Sequence, residues 1–347
     1  MKALVKDAPV PNAMHIATME RPEVRADSLL LRVEAVGICG TDLSLYAWHQ
    51  EIVDLYHPPL PLIMGHEFSG RIVDVGSDVR QFGTGQLVAV NPIQHCGHCF
   101  YCQRGNTNIC DHRIMLGAQK PGAFVEYIIV PEDQAIALPE QIGGDVAALC
   151  EPLCVALHAL ERIPVADQVI AIAGAGPIGL LIAIVAMSEG AKRCFVTGLP
   201  QDAARLELAQ KLGAHAISLA QQNPLMVVRA ETQGHGADVV FETAGHPSAV
   251  DQAISIARKG AKIGLLGLPH ESTSVATSTV AAQEKELIGI RAYTPATWQH
   301  CQSIIPGIAG QLSQLITHRF AFEDFEKAFR AALSKEGIKV LLRPVYD

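Results

Sequence analysis

The chain is poor in several things at once, and each shortage removes a class of explanation. Charged residues make up only 18% of its 347 residues, and the formal net charge is −8. With no basic excess there is no generic attraction to nucleic acid or to an anionic membrane surface. No tract of low complexity and no internal repeat interrupts it, so neither disorder nor a solenoid is indicated. The opening residues, Met1-Lys2-Ala3-Leu4-Val5-Lys6-Asp7-Ala8-Pro9, lack the apolar run of a secretory signal. The most apolar stretch, Val169 to Met187, is broken by Gly174, Gly176, Pro177 and Gly179, whereas a membrane span is more uniform. These absences together lead us to expect a soluble, cytoplasmic protein. Cysteine is not scarce, but its nine copies are an odd number in a long chain without a signal. That argues against a disulfide framework.

What is present is core material. Hydrophobic residues reach 49%, and a chain of this length exceeds what one hydrophobic core usually serves, so two domains are expected. Residues 1 to about 150 carry short β-like runs, such as Leu29 to Val36 and Gly70 to Val75, punctuated by Gly and Pro. That texture suggests a barrel-like β domain. From about Val155 the rhythm becomes strand-helix alternation. Expected strands are Gln168–Ala173, Cys194–Thr197, Ala237–Phe241, Ala261–Leu266 and Glu286–Ile290. Expected helices are Ile178–Met187 and Asp202–Leu212. Short apolar strands alternating with helices imply a parallel sheet. A helix over Phe322–Leu333 and a strand over Ile338–Leu342 close the chain. We therefore expect an α/β protein with units at 1–152, 153–290 and a return at 291–347.

Gly174-Ala175-Gly176-Pro177-Ile178-Gly179 fits G-x-G-x-x-G between a predicted strand and a predicted helix. Gly174 permits the tight turn, Gly176 lets the backbone approach a pyrophosphate, and Gly179 lets helix and strand pack closely. The helix N-terminus then offers N–H groups and partial positive charge to phosphates. The following strand ends at Gly198, where an acidic residue normally receives the ribose hydroxyls. No basic residue follows until Arg205. A NAD signal is missing without a NADP signal replacing it. Asp202 can serve the ribose or cap the next helix, and the cap is the stronger reading.

Cys96-x2-Cys99-x2-Cys102-x7-Cys110 is a specific pattern. Four thiolates at this spacing enclose a tetrahedral zinc and leave no open position, which makes the site structural. An iron–sulfur cluster is the rival occupant. His95, His98 and His112 read as surface loop residues. A second set is dispersed: Cys39 in Gly37-Ile38-Cys39-Gly40-Thr41-Asp42, His66 and Glu67 in Gly65-His66-Glu67-Phe68-Ser69-Gly70, and Glu151 in Cys150-Glu151-Pro152-Leu153.

Taken jointly, the motifs resemble those of the zinc-containing medium-chain alcohol dehydrogenases. The family's Gly-His-Glu signature with later glycines reads here as Gly65-His66-Glu67, Gly70 and Gly76. The likeness runs from about Ala3 to Pro344 and includes Gly236-Ala237-Asp238-Val239-Val240-Phe241-Glu242. It is nearest the sorbitol, polyol and threonine dehydrogenase branch. The resemblance implies a GroES-like β-barrel catalytic domain and a Rossmann doubly wound parallel sheet. It implies two zinc ions per chain, one structural and one catalytic, with NAD or NADP as cofactor. Cys39, His66 and Glu67 would hold the catalytic zinc, with Glu151 at or near the fourth position.

Zinc lowers the pKa of a hydroxyl that it binds, and the nicotinamide takes the hydride. By resemblance Thr41 would pass the proton onward, and Ser44 stands where many members carry a His. Trp48 and His49 would line the mouth of the site, and Arg291 or Tyr293 would reach the cleft. The expected reaction is oxidation of a secondary alcohol, a polyol or sugar alcohol first and an L-threonine-type hydroxy amino acid second. A non-catalytic nucleotide-binding structural protein is the rival of another class, and zinc-free reductases are the rival enzymes. A homo-oligomer, dimer or tetramer, is implied by the family.

Overall fold

The computed structural model describes residues 1–268 and 272–346, and the observations below concern those residues. The chain divides into two compact units, Met1–Pro152 with Thr294–Asp347, and Leu153–Tyr293.

In the first unit the strand Ser28–Gly37 is the hub. It pairs antiparallel along its length with Glu67–Val75. Its other edge is shared, with Tyr127–Pro131 beside Ser28–Arg32 and Lys339–Arg343 beside Val36–Gly37. The sheet continues through Leu87–Val90 and Ala135–Ala137 on one side and Ile316–Ala321 on the other. Eight of its ten hub residues are buried because both faces are covered. Two short helices, Gly40–Tyr46 and Gln50–Tyr56, follow the hub before the chain re-enters the sheet. The core gathers Leu4, Phe68, Phe124 and Phe329, none more than 1% exposed.

The second unit holds one sheet of six strands among the described residues, with every pairing parallel. Its strands are Val169–Ala173, Arg193–Gly198, His215–Ser218, Ala237–Glu242, Ala257–Leu265 and Glu286–Gly289. Their spatial order is third, second, first, fourth, fifth, sixth. Right-handed crossovers then place helices on opposite faces of the two halves. The order reverses between Val169–Ala173 and Ala237–Glu242, which is where such sheets bind ligands, outside the carboxyl ends of the strands. The parallel α/β fold expected from the alternation is present.

Several boundaries differ from expectation for local reasons. The helix expected over Asp202–Leu212 is a 3-10 turn, Pro200–Asp202, followed by Ala203–Lys211. The chain leaves the second unit at Thr294, not at residue 291. Ile290 still donates to Leu265 O, and Tyr293 is only 2% exposed, so the sheet's packing continues that far. Thr294 then caps the next helix by accepting from the Thr297 N–H. That helix, Pro295–Leu315, was not anticipated, and it contains Pro306. Among the described residues no single helix is long and apolar enough to cross a membrane.

The Phe329 ring lies 4.4 Å from Tyr46 and 6.0 Å from Phe124, centroid to centroid. It fastens the helix Phe325–Leu333 to the core. Phe329→Ala is expected to cost about 3–5 kcal/mol. Chemical denaturation followed by circular dichroism should show the midpoint fall. An unchanged midpoint would mean the helix is not held there.

Candidate metal centres and cofactor loop

Cys39 and the His66-Glu67 pair come from different strand ends, and the register brings them together. Gly37, at the end of the hub, is paired with Glu67, the first residue of its neighbour. Cys39 lies two residues beyond Gly37, at the N-cap of the helix Gly40–Tyr46. Ligand atoms of Cys39, His66 and Glu67 all fall within 4.8 Å of one another. Thiolate, imidazole and carboxylate are ordinary zinc donors, and three of them leave a position open. The trio fits the metal that the sequence implies.

Asp42 organises this corner. It is fully buried, and its carboxylate accepts the N–H of Cys39 at 2.9 Å and of Gly65 at 3.2 Å. Its Oδ1 lies 3.5 Å from His66 Nδ1. The carboxylate thus lies on the Nδ1 side of the ring as a charge contact rather than a hydrogen bond. Burial alone would lower the His66 pKa. The charges of Asp42 and Cys39 outweigh it and hold the group well above its ordinary value.

Glu67 has a second partner. It forms an ion pair with Lys339, whose side chain is 4% exposed. Lys339 Nζ also donates to Ile38 O at 3.4 Å. Burial pulls the Lys339 pKa down, but Glu67, Cys39 and Glu151 pull harder, and the ammonium is retained. Glu151, expected at the fourth metal position, is 7% exposed at the start of the helix Cys150–Arg162. It is not among the atoms that meet within 4.8 Å, so it is a nearby charge and not a member of the assembled trio. Thr41 and Ser44 lie one turn apart on the helix Gly40–Tyr46. Trp48 follows that helix with φ +58°, its ring 5.1 Å from the buried Lys6 ammonium. His49 is exposed. Sequence reasoning missed Asp42 and Lys339. Asp42 stood beside the quoted motif, and Lys339 is a charge inside an apolar strand run.

The four cysteines of the spaced cluster meet in one lobe, between the paired strands Ile93–Gln94 and Ile114–Met115. Their sulfurs also lie within 4.8 Å of one another, with Cys110 Sγ 3.6 Å from Cys96 and 3.8 Å from Cys99. Backbone N–H groups of Cys99, Cys96 and His112 point at sulfurs at 3.3, 3.4 and 3.3 Å. The Cys99 thiol is lowered to about 6, first by a backbone hydrogen bond from Cys102. The Cys102 thiol is pushed up to about 12, by desolvation and by its neighbouring thiols. Four thiols this close ionise together only around a cation, which fits a tetrahedral metal. His95, His98 and His112 are exposed.

In the second unit Gly174 turns with φ +121° after the first strand. A Cβ on Gly179 would collide with Gly174 O, whereas one on Gly176 would meet nothing within 4 Å. Gly176 caps the helix Pro177–Ser188, with Pro177 at its start and Ile178 next. The open space is where a phosphate group can approach the backbone. Asp202 and Arg205 are both 8% exposed. Asp202 reaches back to the Leu199 N–H at 3.0 Å and lies 3.3 Å from the Arg205 guanidinium. Arg205, the first basic residue after Gly198, is thus buried beside Asp202. Nor does the Asp202 side chain cap the helix Ala203–Lys211. A Cβ on Gly198 would sit 3.1 Å from Leu206 and 3.2 Å from Asp202.

A sheet of this order with a glycine loop, and a unit with two sets of zinc donors, define a metal- and dinucleotide-dependent dehydrogenase. The comparisons agree. Residues 25–140 match the alcohol dehydrogenase GroES-like domain, and residues 177–305 match the zinc-binding dehydrogenase domain. The L-threonine 3-dehydrogenase of Bacillus subtilis is 34% identical over 99% of both chains. Among solved structures, galactitol-1-phosphate dehydrogenase from Escherichia coli is 29% identical with a TM-score of 0.89, covering 99% of this chain and 100% of that one. A zinc-binding dehydrogenase from Sinorhizobium meliloti bound to NADP is 28% identical with a TM-score of 0.90, covering 99% of each. The chain belongs to the zinc-dependent alcohol dehydrogenase family and is an oxidoreductase that uses zinc and a nicotinamide dinucleotide.

Two outcomes follow from this geometry. Gly179→Ala forces a backbone collision and should cost about 1–3 kcal/mol of stability. Gly176→Ala should leave melting unchanged and weaken dinucleotide binding, measured by titration calorimetry; equal melting losses in both would refute the distinction. Cys96→Ser should lower the melting temperature and remove about one zinc per chain, because a closed metal site contributes folding free energy. Retained melting and zinc with lost turnover would assign the cluster to chemistry instead.

Proposed function

We propose that the chain oxidises a secondary hydroxyl on a small polar substrate, a polyol or sugar alcohol, and delivers the hydride to NAD+ or NADP+. The observation that carries this reading is the meeting of Cys39, His66 and Glu67 donor atoms within 4.8 Å. When bound, zinc supplies Lewis acidity toward a substrate oxygen, and the dinucleotide accepts the hydride. Cys39, His66 and Glu67 hold the metal and leave one position for substrate. Asp42 orients the imidazole. Thr41 takes the substrate's proton, and Ser44, one turn along the same helix, stands at the next step in place of the family's His. Glu151 is the charge that exchanges with water near the open position. An L-threonine-type hydroxy amino acid is the second reading, favoured by the 34% identical relative of that activity.

For the cofactor we propose weak discrimination between NAD+ and NADP+. Gly198 offers no carboxylate to the ribose, and Asp202 and Arg205 are engaged with each other. We also propose a cytoplasmic homo-oligomer. The strand Glu286–Gly289 ends its sheet with one edge unpaired among the described residues, which suits pairing across a two-fold axis.

A panel of polyols, threonine and simple secondary alcohols, read by nicotinamide absorbance with both cofactors, tests the substrate class. Polyols should be turned over fastest, and chelation should abolish that turnover while the four-cysteine zinc and the fold remain. The proposal fails if chelated protein holding a single zinc oxidises alcohols at the original rate, and turnover confined to threonine would establish the second reading.

A further inference from the structure

The Glu67–Lys339 ion pair spans the hub strand in an unusual way. Glu67 belongs to the strand on one side of Ser28–Gly37, and Lys339 to the strand on the other. They meet only because residue 37 has no side chain. A Cβ there would collide with Glu67 Oε2 and lie 2.9 Å from Lys339 Cε. The ammonium is further held by Ile38 O. A buried ion pair is a weak source of stability, since desolvating both charges offsets most of their attraction. Burying a lysine at this point therefore calls for another reason, and Glu67 supplies one: its carboxylate is one of the three donors that meet at the metal centre.

We propose that Lys339 is a positioning residue of the metal centre, holding one oxygen of the Glu67 carboxylate so that only the other oxygen is offered to the metal. This rests on the reading that Cys39, His66 and Glu67 hold the catalytic zinc. The consequence is an open coordination position. A carboxylate whose two oxygens are both free can chelate a cation with both, and with Cys39 and His66 that fills four places with protein atoms. The paired Oε2 is withheld from that second contact. Cys39, Glu151 and Asp42 face the same corner and add negative charge. The ammonium is the permanent cation that answers the Glu67 carboxylate directly. Its loss leaves the carboxylate more strongly drawn to the metal.

The test uses protein with zinc in the four-cysteine site and Co2+ exchanged into the catalytic site. In Lys339→Met the visible Co2+ bands should shift in position and intensity, because a second carboxylate oxygen either replaces the water at the open position or adds to the coordination number. Catalytic zinc should leave to chelator more slowly, and kcat should drop roughly 10–100-fold, the usual range for partners behind a ligand. Lys339→Arg should restore the spectrum and most of kcat. Gly37→Ala displaces the pair without removing either charge, and should reproduce the spectral change even where Lys339→Met does not fold. An unchanged Co2+ spectrum and chelator rate in both variants overturns the proposal. So does a loss confined to dinucleotide affinity, which would make Lys339 a cofactor contact. If Glu67→Ala also leaves the Co2+ spectrum and metal count untouched, Glu67 is no ligand and the underlying assignment fails instead. A change in Glu67→Ala with none in the other variants removes only the role of Lys339.

Discussion

Negative charge taken out of water must be answered by positive charge nearby, and the first unit is arranged around that requirement. Asp42, Glu67 and Glu151 are 0%, 1% and 7% exposed, and Cys39 stands among them. Each buried, unanswered carboxylate costs several kcal/mol. Backbone N–H groups serve Asp42, and Lys339 serves Glu67. What remains is a concentration of negative charge where thiolate, imidazole and carboxylate converge, a donor set that could hold a divalent metal. The cysteine lobe repeats the arrangement with sulfur, where closely spaced thiols and inward N–H groups make a cation part of the folded state. Both centres are therefore places whose donors an ion would complete. They differ in whether a position is left over.

That difference explains the division between what was readable in the sequence and what was not. The four-cysteine spacing and the glycine loop each carry a complete local mechanism within about twenty residues, so both were legible. The alternation of strands and helices likewise revealed the parallel sheet, because its period is local. Cys39, His66 and Glu67 were nameable from motifs. That Lys339 pairs with Glu67 was not, because nothing in a linear pattern reports which distant strand lies across a glycine. A lysine within the apolar run Ile338–Leu342 was the only trace, since a charge in a buried strand needs a partner somewhere. The pairing of Arg205 with Asp202 was likewise not readable, because the sequence does not report that the fold buries both.

The helix Pro295–Leu315 shows how a breaker residue can hide a sound pattern. Its buried residues include Trp298, Cys301, Ile305, Ile308, Leu312 and Leu315, alternating in steps of three and four. That is the spacing of one helix face. Pro306 and two glycines interrupt the polar side and suppress the reading, yet Pro306 forfeits one backbone hydrogen bond while six buried side chains hold the rest in place. Packing outweighs propensity here, as it commonly does where a helix returns to a core already built by other elements.

In the second unit the two ends of the dinucleotide site are built by different means, and this bears on specificity. The pyrophosphate end is made by shape. Gly179 is fixed by the carbonyl of Gly174, and Gly176 leaves the backbone open. Any dinucleotide shares that pyrophosphate, so the shape binds without discriminating. Discrimination requires a group that distinguishes a hydroxyl from a phosphate, and the usual one is a charge at the end of the second strand. Gly198 has none, and Leu206 and Asp202 crowd the space in which one would grow. Asp202, the nearest carboxylate by sequence, is already committed to the Leu199 N–H and to Arg205. The same charge balance that governs the metal corner thus operates here in reverse. Here an acid and a base answer each other inside the unit, and neither Gly198 nor this pair offers a free charge at the end of the second strand.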